Sequence, residues 1–128
     1  MISSLMGTDT LELPNSNILF LEDVNEFMYK IDRMLVQLSR SKHLLGTKGI
    51  IFSDMRVRDP GIDNSLGFEL LDLIKMHFNN FDGPIAMGVP CGHTQRQILL
   101  PLNQVMALSV DTEICSLDFN NASKMEAA

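Results

Sequence analysis

Asn17-Ile18-Leu19-Phe20-Leu21-Glu22 decides how the rest of the chain is read. The run is apolar until charge closes it, the pattern of a strand buried on both faces, because a strand with one wet face would alternate. A helix is expected next. Ile31, Met34, Leu35 and Leu38 recur at helical spacing, Glu26 and Lys30 form an i,i+4 pair, and Asp23 or Asn25 can cap the start. That helix should end within residues 39–43. Gly49-Ile50-Ile51-Phe52-Ser53 repeats the strand pattern and is followed by a polar loop over residues 54–64, which contains Pro60 and Gly61. A second helix is expected over residues 66–78, with Ser65 as its cap and Leu70, Leu71, Ile74 and Phe78 as its core stripe.

Pro84-Ile85-Ala86-Met87 opens a third strand that stops at Gly88, and beyond it the chain changes character. Residues 98–100, 105–110 and 113–117 are short β-rich stretches separated by turn residues such as Asn103 and Asp111-Thr112. Two β-α units ahead of a meander of short strands make an α/β domain with a mixed sheet or partial barrel. At 128 residues and 45% hydrophobic content the chain can bury one sizeable core, so one globular domain is expected. From Asn120 onward the residues are small and polar, as in a frayed tail.

The formal net charge is −6, the pI is near 4.8, and the Lys and Arg residues are scattered. No basic stripe is available for nucleic acid or an anionic membrane, so neither is an expected partner. No apolar run approaches the roughly 18–20 residues that cross a bilayer, and Met1-Ile2-Ser3-Ser4 does not open a leader, so the chain reads as cytoplasmic. Cys91 and Cys115 could pair only once, and both are read as reduced.

Two ionisable side chains stand where a strand gives way to a loop. Glu22 closes the first strand, where a scaffold can hold a carboxylate rigidly while the loop gives access; the same position also fits a solvated strand-end acid. His93 follows Gly92, whose freedom at positive φ can present an imidazole at a sharp turn, though a loop histidine bonded to its own backbone fits there too. Cys91-Gly92-His93 lacks the partners a four-ligand zinc site requires, so no metal and no cofactor is expected, and His43 and His77 read as helix-end or surface residues. Cys91 is a weak candidate nucleophile, because a neighbour two positions along an extended loop points elsewhere. Ser53 sits where a nucleophile elbow would be, but Ile51 replaces the small residue such a turn needs and no helix start follows. An acid and a base are present, and no activated nucleophile is recognisable.

The segment Ile18-Leu19-Phe20-Leu21-Glu22-Asp23-Val24-Asn25-Glu26, with Tyr29-Lys30-Ile31-Asp32-Arg33-Met34-Leu35 after it, resembles the opening of the C-terminal domain of the L,D-carboxypeptidases. Those serine peptidases trim the murein tetrapeptide, and the microcin-immunity peptidases belong to the same family. Gly88-Val89-Pro90-Cys91-Gly92-His93 resembles that domain's histidine loop, Ile98-Leu99-Leu100-Pro101-Leu102 the strand after it, and Leu5-Met6-Gly7-Thr8 the end of the segment leading in. The likeness runs to about Asp111. It implies a swivelling β/β/α fold over residues 17–118, with residues 1–16 a remnant of an interdomain linker and residues 119–128 a disordered tail.

It also implies that Glu22 is an orienting carboxylate and His93 a general base, while the serine nucleophile belongs to an N-terminal flavodoxin-like domain. An imidazole must take the proton of a serine hydroxyl before that hydroxyl can attack, and a carboxylate on the other ring nitrogen fixes the tautomer. On this reading the nucleophile-bearing domain is missing and the 128 residues alone hydrolyse nothing. The implied substrate is a murein peptide, processed in cell-wall recycling. An apolar face left by the missing domain predicts self-association, as a homodimer, or poor solubility. Two other readings stand beside it: a microcin-immunity-like peptidase half with a different peptide substrate, and a noncatalytic relic or binding module. Phe27-Met28 replaces two prolines common in the family, and Asn103 stands where glycine is usual.

Overall fold

The computed structural model describes residues 2–53, 55–58, 67–111 and 114–119. In chain order the elements are α1 (Ile2–Leu5), β1 (Asn17–Leu21), β2 (Val24–Phe27), α2 (Met28–Ser39), a 3-10 turn (Lys42–Gly46), β3 (Thr47–Ser53), β4 (Arg56–Arg58), α3 (Leu70–His77), β5 (Ile85–Val89), β6 (Ala107–Val110) and β7 (Cys115–Asp118). The mixed α/β character is divided among three small sheets. β1, β3 and β5 form a parallel sheet with β3 in the centre, β2 pairs parallel with β4, and β6 with β7 makes an antiparallel hairpin.

The core lies on one face of the parallel sheet. Leu19, Ile50 and Phe52 point from it toward Ile31, Leu35 and Leu38 of α2 and Leu73 and Ile74 of α3. Phe52, Phe78 and Phe81 meet edge to face, with ring centroids 6.1 and 6.4 Å apart, a geometry that the aromatic quadrupole favours over flat stacking. The opposite face of the sheet, Ile18, Phe20 and Ile51, lines an open groove walled by residues 13–17, Leu100 and residues 102–106. That groove explains a difference from the sequence reading: β1 is an edge strand with only Leu19 buried, and β3 is the strand buried on both faces.

Other differences have local causes. The chain does not enter α2 from an Asp23 or Asn25 cap. Val24–Phe27 first pairs with Arg56–Arg58, a short strand lying within the expected loop, and the N-cap is Phe27 without a side-chain bond. Glu26 and Lys30 form the expected pair at 2.9 Å across the strand–helix junction, and the hydrogen bond to Glu26 raises Lys30 above its ordinary pKa. α3 begins at Leu70 because Glu69 and Asp72 close a reciprocal capping box; the expected cap, Ser65, lies outside the described residues. The buried stripe is Leu73, Ile74 and Phe78, and Leu71 of the expected stripe is exposed. Residues 98–100 form no strand, and residues 120–128 of the expected tail lie outside the described residues.

The Phe27-Met28 replacement keeps the geometry that proline would impose. Phe27 has φ −72 and ψ 147, and Met28 is the first helical residue, the position that best tolerates proline. Asn103 takes φ 55, a left-handed conformation that asparagine reaches more readily than most residues.

Candidate active site

The carboxyl ends of β1, β3 and β5 lie in one row, with Leu21 in register with Phe52 and Ser53 in register with Val89. Glu22 is the first residue past β1, and the histidine loop leaves β5. Crevices outside strand carboxyl ends are where open parallel sheets place ligands, because the departing loops can carry polar groups that the sheet itself cannot. Here the loop is closed on itself: Cys91 N donates to Val89 O at 2.8 Å and Ile98 N donates to Pro90 O at 2.8 Å.

His93, 71 residues from Glu22 in sequence, meets it in space. Its Nδ1 lies 2.8 Å from Glu22 Oε1. A carboxylate can only accept, so Nδ1 carries the proton and donates, and Nε2 is left with its lone pair in the neutral ring. The Glu22 side chain is 27% exposed and the His93 side chain 68%, so the carboxylate is anchored at the sheet while the imidazole stands at the surface. Glu22, but not His93, also lines a cavity of about 60 Å³ together with Ile2, Asp23, Met34, Leu35 and Met55.

Gly92 makes the approach sterically feasible. Its φ is 114, and a Cβ there would lie 2.7 Å from Glu22 Cγ and 2.8 Å from Glu22 Oε1. Carbon atoms in contact normally sit about 3.5–4.0 Å apart, so any side chain at this position would displace the carboxylate. The glycine was legible in the sequence as a turn residue; its second duty, vacating the space Glu22 fills, has no sequence signal.

Other residues fall into plainer places. Cys91 and Cys115 are free. Ser53 is buried at the end of the central strand, and among the described residues its hydroxyl has no hydrogen-bond partner. His77 is a structural group: its Nε2 lies 2.6 Å from Asp32 Oδ1, which ties α3 to α2. Sequence reasoning missed Gln97, whose side chain reaches back into the histidine loop. Among the described residues, no helix is long and apolar enough to cross a membrane.

Comparison with known proteins gives the family and the fold. Residues 1–108 match the family model for the LD-carboxypeptidase C-terminal domain. A Bacillus subtilis protein named "Probable murein peptide carboxypeptidase" is 27% identical over 109 residues, 85% of this chain and 34% of that protein. A Streptomyces coelicolor protein, named as a carboxypeptidase, is 30% identical over 102 residues, 79% of this chain and 31% of that one. The crystal structure of muramoyltetrapeptide carboxypeptidase from Oxalobacter formigenes is similar with a TM-score of 0.75 at 26% identity, over 91% of this chain and 40% of that chain. The chain thus spans about a third of the length of the curated relatives it matches.

Proposed function

Because this chain belongs to the LD-carboxypeptidase family through its C-terminal domain, we propose that it supplies the acid and base of a serine-type L,D-carboxypeptidase that releases the terminal D-alanine of murein tetrapeptide. The observation that carries this reading is the 2.8 Å contact between His93 Nδ1 and Glu22 Oε1. With Nδ1–H held by the carboxylate, Nε2 takes the proton of a serine hydroxyl as the oxygen attacks the scissile carbonyl. It returns that proton to the leaving amine as the peptide bond breaks, and water later releases the acyl group by the same route. Glu22 stays ionised throughout and stabilises the imidazolium. General acid–base help of this kind contributes roughly 10²- to 10⁴-fold in rate.

The serine is the contribution of a second, nucleophile-bearing domain. A covering domain also fits the exposure of His93 and of the apolar side chains Leu99, Leu102 and Val105. Without that domain the pair faces water, and the 128 residues are expected to be inactive and to self-associate. In its working form the enzyme acts in the cytoplasm on murein fragments recovered from the cell wall.

The test is reconstitution. The chain is joined to, or mixed with, the nucleophile-bearing domain of a murein peptide carboxypeptidase, and D-alanine release from murein tetrapeptide is followed. The expected result is release by the combination, none by either part, and release slowed by roughly 10²- to 10⁴-fold with His93→Ala. Release unslowed by His93→Ala would remove the imidazole from the chemistry.

A further inference from the structure

Four residues beyond His93, the Gln97 side chain turns back into the loop, and Nε2 donates to Gly92 O at 2.7 Å and to Thr94 O at 3.1 Å. A primary amide nitrogen has two hydrogens, so each carbonyl receives one. The flipped amide would set Oε1 against both carbonyl oxygens, which fixes the orientation by the network itself. The carbonyls belong to the 92–93 and 94–95 peptide planes, so His93 and Thr94 are held between two anchored planes.

This matters because little else holds His93. Its side chain is 68% exposed, so packing does not select its rotamer. The residue before it is a glycine at φ 114, where the backbone is freest to wander. Thr94 Oγ1 donates to Arg96 O, and Ile98 N closes the loop on Pro90 O; both define the rim, and neither touches the backbone next to the imidazole.

We propose that Gln97 is a positioning residue: by bridging the carbonyls of Gly92 and Thr94 it holds the His93 backbone so that Nδ1–H meets Glu22 and Nε2 is presented as the proton acceptor. The consequence for catalysis rests on the acid–base reading above, whereas the geometric claim stands on the loop alone.

The experiment uses the full chain labelled with ¹⁵N-histidine. Two-bond ¹⁵N–¹H correlations at mildly alkaline pH report the tautomer of each neutral imidazole, and His93→Ala assigns the signal. In the unsubstituted protein His93 is expected to favour the Nδ1–H form. Gln97→Met removes the donors at similar length, and Gln97→Glu keeps the shape but faces the carbonyls with acceptors. Both are expected to lower the ratio of Nδ1–H to Nε2–H forms by about fivefold, the equilibrium value of one ordinary hydrogen bond. The His77 signal should not move, since Gln97 is exposed and His77 bonds to Asp32 between the two helices. In the reconstituted enzyme kcat should fall by a similar factor with KM unchanged.

If both variants keep the original tautomer ratio, the positioning claim is overturned while the acid–base pair stands. The claim fails equally if Gln97→Met lowers the ratio and Gln97→Glu does not, because side-chain shape and not donation would then be responsible. An unsubstituted protein with no Nδ1–H preference overturns this claim and the acid–base reading together.

Discussion

Gly92→Ala separates the close approach at this site from ordinary backbone strain. A Cβ at residue 92 would sit 2.7 Å from Glu22 Cγ, 2.8 Å from Oε1 and 3.0 Å from Cδ. All of these atoms belong to one flexible side chain that is 27% exposed. The clash is therefore relieved by swinging the carboxylate outward, which breaks its contact with His93. Gly88 is an internal control: its φ is 75, and a Cβ there would meet nothing within 4 Å. Gly88→Ala is expected to lose about 1–2 kcal/mol from left-handed strain alone. Gly92→Ala carries more strain, because φ 114 lies beyond the left-handed well, and adds the loss of a charge-assisted hydrogen bond at the surface; it should lose about 2–4 kcal/mol, with the His93 tautomer separating the two causes. Both variants narrow the unfolded ensemble alike, so that contribution cancels in the comparison. Urea unfolding gives the stabilities, and ¹⁵N correlations of His93 report whether the Nδ1–H form survives. Equal destabilisation by the two substitutions, with the His93 tautomer unchanged in Gly92→Ala, would refute the reasoning.

Other outcomes follow from particular contacts. Ser53→Ala removes a buried hydroxyl that has no partner among the described residues, and should raise stability by about 1 kcal/mol in urea unfolding, because an unsatisfied buried polar group carries an uncompensated desolvation penalty. Asp32→Ala breaks the 2.6 Å bond to His77 between α2 and α3 and should lose about 1–2 kcal/mol without changing the His93 tautomer. Phe52→Ala empties a fully buried site among Phe78, Leu35 and Leu73 and should lose about 3–5 kcal/mol.

The parallel sheet and α2 were legible because their signals are strong and local. Residues 50–52 of β3 are apolar on both faces and are buried on both, and Ile31, Leu35 and Leu38 fall on one face of α2 as their spacing requires. β1 carries the same apolar signal but lies at an edge, since sequence does not say whether a second face is covered by a packed layer or opens on a groove. β4 was invisible: three residues with Arg at both ends form a strand only because β2 lies alongside to receive their hydrogen bonds. The start of α3 differs from the expected residue 66 because a serine is a familiar cap in sequence, whereas the reciprocal bonds between Glu69 and Asp72 set the start at Leu70.

At the site, Glu22 and His93 could each be named from a strand end and a glycine turn, and the resemblance joined them. Their 2.8 Å separation is a tertiary fact. Gln97 left no trace in the sequence, since a polar residue in an exposed loop carries no periodicity, and its two bonds depend on how the loop closes.

The central claim is that Glu22 and His93 act as one unit on a serine hydroxyl. Its most direct test is a double-substitution cycle in the reconstituted enzyme, measuring kcat/KM for D-alanine release with Glu22→Gln, His93→Ala and both together. Residues that work as a unit are strongly non-additive. The account predicts that the double variant is no slower than His93→Ala alone. Losses that multiply, or a Glu22→Gln enzyme as fast as the unsubstituted one, would contradict it.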